Sequence, residues 1–158
     1  MNTTNNNSEN LFESNKGMPI AYHAETSQLV INALENARIN GYRVKIYLGD
    51  TATGKCWNEE HDVFGYIGLS KGKAAYYPIL VNNANSYGGG SILDHCIVKI
   101  RQSKGNRVLY EASNFQQPIC EVKESTVTGY SHSLYINGVL YSNHKSERSA
   151  KLLQNKMA

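Results

Sequence analysis

Between residues 41 and 101 apolar and polar residues alternate in short runs, and glycine or asparagine interrupts nearly every run. In RVKIYL, Val44, Ile46 and Leu48 alternate with Lys45 and Tyr47, the period of a strand with one face buried. Residues 63–69 make a second strand, with Gly65 inside it marking a bulge or a close backbone approach. Residues 76–81 are nearly all apolar, as in a strand covered on both faces, and Pro78 within them points to a sheet edge or a bulge. Residues 92–101 read as the longest strand. Connections this short leave no room for helical crossovers, so the pattern favours antiparallel pairing.

The rest of the chain fits that frame. Residues 25–40 read as an amphipathic helix: Val30, Ala33, Leu34 and Ala37 fall on one stripe, Thr26 or Ser27 can cap it, and Asn40-Gly41 ends it. Lys104-Gly105 turns residues 92–101 back into 107–112 as a hairpin. Residues 119–128 and 130–136 add two β-segments. Asn137-Gly138 is the strongest hairpin signal in the chain, because both residues tolerate positive φ. A short helix follows Ser146, with Ala150, Leu153 and Met157 on one face. The expected class is mainly β (α+β): about five to seven short strands in a small curved antiparallel sheet or barrel, with one N-terminal and one C-terminal helix. Residues 1–18, rich in Asn, Ser and Thr, read as a disordered tail, and residues 19–158 as a single β-rich domain.

Composition narrows the function classes. A formal charge of +3 with scattered Lys and Arg lacks the dense basic stripe of a dedicated DNA binder. Eleven tyrosines against three phenylalanines supply flat faces with a polar handle, suited to half-buried strands and to stacking a base. Cys56, Cys96 and Cys120 are odd in number, widely spaced and without a C-x-x-C pair, which fits reduced thiols in a cytoplasm. No signal-peptide pattern or membrane-length apolar run is visible, so the expected location is the host cell cytoplasm, with no membrane partner.

Glycine-flanked turns carry the chemistry. Three consecutive glycines in NNANSYGGG bare backbone N–H groups that can cradle an anion, which nominates Asn85, Ser86, Tyr87, Gly88, Gly89 and Gly90. No Lys-Ser/Thr follows, so this is not a P-loop. Ser70, Lys71 and Lys73 occupy another such turn, and Arg101 is a further cation. If the two turns share one end of the sheet, a phosphorylated ligand would meet amides and cations together. His144, Lys145 and Arg148 lie where the last helix begins, a second place that attracts anions.

Catalytic and metal sets are weaker. Asp94 and His95, read as strand neighbours, face opposite ways and make no dyad. Glu59, Glu60, His61 and Asp62 lack a further ligand at metal spacing. Cys56 has only Lys55 beside it to lower its pKa. No cofactor and no metal are expected, and the chain is not read as an enzyme.

The GDT-x-TG turn at residues 49–54, the IGLSKG turn and the SYGGG loop, with a fainter echo in LYINGVLYSNHKSERSA, resemble short proteins of phages, plasmids and prophages. Among these the likeness, spread over residues 41–101, is to the phage anti-Thoeris sponges. That resemblance implies a small β-rich oligomer that sequesters a cyclic ADP-ribose-type signal without cleaving it, and it assigns no individual residue. The resulting expectation is a non-catalytic, homo-oligomeric binder of a small phosphorylated (cyclic nucleotide or ADP-ribose-type) ligand. A nucleic-acid- or protein-binding module of a mobile element is the alternative, and a small hydrolase using His95 or Cys56 is the second.

Overall fold

Ser27 begins the first helix by the means its hydroxyl suggests: in an extended conformation, its side chain accepts from the Val30 N–H. The computed structural model describes residues 19–57, 64–82 and 90–157. The expected tail at 1–18 and the Glu59-Glu60-His61-Asp62 run lie outside the described residues. So do Asn85, Ser86, Tyr87, Gly88 and Gly89.

Within 19–158 the chain divides into two compact units, one formed by residues up to 54 together with 62–115, the other by 55–61 together with 116–158. In the first, helix α1 (Gln28–Asn40) ends at Gly41, whose φ of 67° lets its N–H reach back to the helix carbonyls. Strands β1 (Arg43–Asp50), β3 (Phe64–Lys71), β4 (Tyr76–Val81), β5 (Gly90–Ser91), β6 (Ile97–Gln102) and β7 (Val108–Glu111) follow. They pair antiparallel in the order β5-β4-β3-β1-β6-β7. Val30, Leu34 and Ala37 of α1 pack with Val44, Ile46, Ile67, Leu80, Ile97 and Ile100 as one buried cluster, so the helix covers one face of the sheet. Tyr22, whose hydroxyl donates to Glu35, fastens the segment before the helix, and Glu35 also pairs with the buried Arg38. Burial, then the bond to the Glu35 carboxylate, pushes the Tyr22 hydroxyl far above its ordinary range, so it stays protonated.

Gly65 has the close approach its position suggested. A Cβ there would come within 2.3 Å of the Val81 carbonyl oxygen. Pro78 sits in β4, flanked by β3 on one side and by the two-residue β5 on the other, and its carbonyl accepts from the Ile92 N–H.

The second unit holds β2 (Lys55–Cys56), β8 (Cys120–Glu124), β9 (His132–Ile136), β10 (Val139–His144) and α2 (Glu147–Met157). β10-β9-β8 form a three-stranded antiparallel sheet. Asn137 and Gly138 join β9 to β10 with φ of 52° and 80°, as an Asn-Gly hairpin requires. The Ser146 hydroxyl caps α2 by accepting from the Ser149 N–H, and Ala150 is buried against the sheet.

Two expectations are corrected. The protein is mainly β with a helix before and a helix after the strands, but among the described residues neither sheet closes into a barrel. Closure needs end strands long enough to pair with each other. β5 has two residues and β7 four, and each ends the path. The strand expected over 92–101 is also interrupted, by a 3-10 turn at Asp94–Cys96 before β6 begins. Apolar alternation did not reveal this because Asp94 is drawn inward, where its carboxylate accepts from the His23 N–H (2.8 Å) and the Thr26 hydroxyl (2.6 Å).

Candidate functional site

The side chains of β1 that point away from α1 are Arg43, Lys45 and Tyr47. Pairing extends this row across three strands: Arg43 lies opposite Tyr66 and Lys45 opposite Phe64 on β3, while Lys45 lies opposite Arg101 and Tyr47 opposite Lys99 on β6. Alternation therefore gathers cations and rings on one face of one sheet. Lys45 Nζ stands 4.8 Å from the Tyr47 ring centre and 5.4 Å from that of Phe64. Lys99 Nζ stands 5.5 Å from Tyr47 and 4.8 Å from Phe115. The Arg43 guanidinium lies 5.8 Å over Tyr66. Such contacts hold ammonium and guanidinium groups against the negative faces of the rings.

Tyr47 is the centre of this array. Phe115 meets its ring edge-on at 5.6 Å, and Arg101 Nε donates to its hydroxyl at 3.2 Å. Arg101 also donates to the Asn106 side chain, a residue held at φ 56° in the β6–β7 turn. Glu111 on β7 pairs with Lys99 at 3.1 Å. Lys45 and Tyr47 are buried, Lys99 and Arg101 are partly covered, and Arg43 is exposed. The centre of the array is thus packed and fixed, and Arg43, Tyr66 and Arg101 form its more exposed rim, where Arg43 donates to the Asn82 carbonyl at 3.0 Å.

Of the residues nominated from sequence that the structure describes, Arg101 alone belongs to this array. Ser70 and Lys71 end β3, paired with Tyr77 and Tyr76, and Lys73 lies in the turn beyond. Gly72 there lies under the Tyr77 ring, because an added Cβ would come within 2.2 Å of it. That glycine serves packing, and both lysines are exposed. Gly90 pairs with Leu80, and Asn82 follows Val81, so the described flanks of the triple-glycine loop stand at the other end of β4 from Lys71. The described flanks of the two turns therefore stand apart, since a hairpin turn and the exit of its second strand lie at opposite ends of that strand.

His144, Lys145 and Arg148 belong to the second unit. Both ring nitrogens of His144 are engaged, with the Ser142 hydroxyl at 2.7 Å and the Ser149 hydroxyl at 2.8 Å, so that ring joins β10 to the first turn of α2. Lys145 and Arg148 are exposed.

A second polar group in the first unit involves Asp94 and His95. The 3-10 turn overturns the argument that their side chains must diverge as strand neighbours do. His95 instead stacks on His23, with ring centres 3.8 Å apart and planes at 20°. His23 Nδ1 accepts from the Glu25 N–H. Desolvation, then the negative charges of Asp94 and Glu25, push the Cys96 thiol above its ordinary value, so it stays protonated at neutral pH and is a poor nucleophile. The buried Cys56 thiol donates to the Gln116 carbonyl. No group of three or more metal-binding side chains is found among the described residues.

No family model, curated protein or solved structure matches this chain. Sequence reasoning missed Arg43, Lys45, Tyr47, Tyr66 and Lys99 because they come from three separated runs. The available signal was parity: cations and rings occupy the non-core positions of RVKIYL, FGYIGL and IVKIR alike.

Proposed function

We propose that this protein binds and sequesters a small phosphorylated ligand, of cyclic nucleotide or ADP-ribose type, without breaking it. The observation that carries the reading is the row of cations interleaved with aromatic rings on the face of β3, β1 and β6 turned away from α1. Guanidinium groups bind phosphate oxygens through paired N–H donors, and an aromatic face stacks on a base. Arg43 and Arg101 take the phosphates in this reading, and Tyr66 lies against the base. Tyr47 and Phe115 hold the cations in place before the ligand arrives, which reduces the ordering cost of binding.

The non-catalytic half of the proposal rests on how the reactive groups are engaged. Asp94 accepts from His23 and Thr26, His95 is stacked, and the Cys96 thiol is held protonated. Together with the resemblance of residues 41–101 to phage sponges, this supports reading the protein as an anti-defence factor of the host cytoplasm.

The test is mass spectrometry of small molecules released by heat after the purified protein has met a nucleotide-rich lysate, with Arg43→Ala/Arg101→Ala alongside. An intact nucleotide recovered one per site, and lost in the double variant, is the expected result. A cleaved product indicates an enzyme. Nothing bound, with salt-steep retention on oligonucleotides, overturns sequestration in favour of nucleic-acid binding.

A further inference from the structure

We propose that the outer face of α1 packs against the same face of a second copy of the chain, the two helices running antiparallel about a two-fold axis level with residue 34. The helix has only two charged residues, Glu35 and Arg38, and they pair with each other, Arg38 being buried. Its outer face is therefore uncharged: Gln28, Leu29, Asn32, Ile39 and Asn40 are exposed, and Asn36 is half-buried. Leu29 is 68% exposed and Ile39 46%. A helix turned to water ordinarily carries charges on its outer face, whereas the centre of a protein interface is depleted of them. Beside this face lies a groove of about 460 Å³ between α1 and β7, walled by Leu29, Asn32, Ala33, Asn36, Leu109 and Tyr110.

The face is complementary to itself. In an antiparallel pair centred on 34, a residue before the centre lies level with the one equally far after it on the other helix. Leu29 is then level with the partner's Ile39, Asn32 with the partner's Asn36 and Gln28 with the partner's Asn40. Apolar meets apolar, amide meets amide, and the two-fold axis repeats each contact. Gln28, Asn32, Asn36 and Asn40 form one i, i+4 ridge, the kind that interdigitates with its like when helices cross at about 50°. Shifting the partner by one turn sets Leu29 level with the partner's Glu35, or carries it past the end of the helix at Asn40. Neither shift keeps the match.

The amides can bond across the axis. Within each helix the Gln28 side chain donates to Asn32 Oδ1 at 2.8 Å, and the Asn40 side chain to Asn36 Oδ1 at 2.7 Å. Each acceptor oxygen keeps a second lone pair, and the side-chain N–H groups of Asn32 and Asn36 donate to no described residue. Asn32 Nδ2 can therefore donate to the partner's Asn36 Oδ1, and Asn36 Nδ2 to the partner's Asn32 Oδ1, with both intrahelical bonds kept. An uncharged surface of this kind suits a second copy of itself and not a nucleic acid, whose phosphates ask for cations.

The test is the mass of the full-length protein in solution by light scattering over a dilution series. The wild type is expected at twice 17.6 kDa. Leu29→Glu and Ile39→Glu each set an unpaired charge against an apolar side chain at both symmetric contacts, and each is expected to weaken the dimer by about tenfold or more. Leu29→Glu/Ile39→Lys sets opposite charges together across the axis and is expected to dimerise more tightly than Leu29→Glu alone. Within one helix the two positions lie about 15 Å apart, so only a partner can join them. Glutamate in the first turn and lysine in the last both suit the helix dipole, so the helical signal of the single chain is kept. A wild type of one-chain mass, a wild type that holds only a foreign polypeptide, or a dimer indifferent to Leu29→Glu overturns the proposal. So does a double variant no tighter than Leu29→Glu. The assay requires no ligand, so it stands or fails apart from the reading of the cation-aromatic face.

Discussion

The two units bury their apolar residues to very different depths. In the first, α1 lies on its sheet and closes a cluster that runs from Val30 and Leu34 through Ile46 to Ile100. In the second, the buried apolar residues among those described are Cys56, Leu134, Ile136 and Ala150. A sheet of three strands under one short helix has few residues to hide. The difference teaches where each unit can afford polar chemistry. The first carries buried Lys45 and Arg38 on a framework with a surplus of apolar contact, while the second keeps its charges, Glu121, Lys123, Glu147 and Lys151, in solvent.

The comparison breaks first at the cores. Leu34→Ala removes a fully buried side chain and is expected to cost about 2–5 kcal/mol. Leu134→Ala removes the same atoms from the thinner core and is expected to release the β8–β10 amides to exchange entirely. Hydrogen exchange of both variants checks this, and retained protection across β9 in Leu134→Ala would show that the second core is deeper than its residues suggest.

Two glycines sharpen the contrast. Gly65→Ala in the first unit drives a methyl group against the Val81 carbonyl and forces β3 from β4, an expected loss of about 1–3 kcal/mol. Gly138→Ala meets no atom within 4 Å and pays only for its φ of 80°, about 1 kcal/mol. Denaturant midpoints should rank the two variants in that order. The reverse order would mean that the strands yield more readily than the turn.

These contrasts also mark what could be read from sequence. Ser27, Gly41, Gly65, Asn137-Gly138 and Ser146 act on backbone within a few residues, or on the strand beside them, and their residue types state that action. The break at Asp94 was not legible. Its cause is His23 and Thr26, 71 and 68 residues away, and a buried aspartate looks like a polar strand residue until its partners are known. The cation-aromatic face was only partly legible for the same reason. Lys45, Tyr66 and Lys99 meet because β1 is flanked by β3 and β6, and strand order is a property of the folded chain, not of any one run. The glycine turns drew attention because they are local, and the one that the structure describes in full, at Gly72, serves a tyrosine ring.

Asp94 supplies a smaller effect that reports on the first unit alone. Asp94→Asn keeps an acceptor for the His23 and Thr26 bonds but removes one of the charges that raise the Cys96 thiol. The thiol pKa is expected to fall toward its ordinary value, and alkylation of Cys96 near neutral pH to quicken. An unchanged pH profile of alkylation would leave desolvation and the Glu25 charge as the causes.

The smallest expected effect lies in the second unit. The Glu147 carboxyl is held below its ordinary range by its bond to Lys151 at 2.7 Å, then by the charges of Lys151 and His132. A carboxyl whose folded pKa is depressed contributes stability above its unfolded pKa, and that contribution is lost as pH falls through the folded value. α2 should therefore fray slightly more in acid below the ordinary carboxylate range, near pH 4 and under, and Glu147→Gln should remove that part of the slope. Both groups are solvent-exposed, so added salt should flatten the slope in the wild type by the same route. If the acid slope of the helical signal survives both the substitution and the salt, it comes from elsewhere in the second unit. His132, opposite Glu124 in the β8–β9 ladder, would then be the group to replace next.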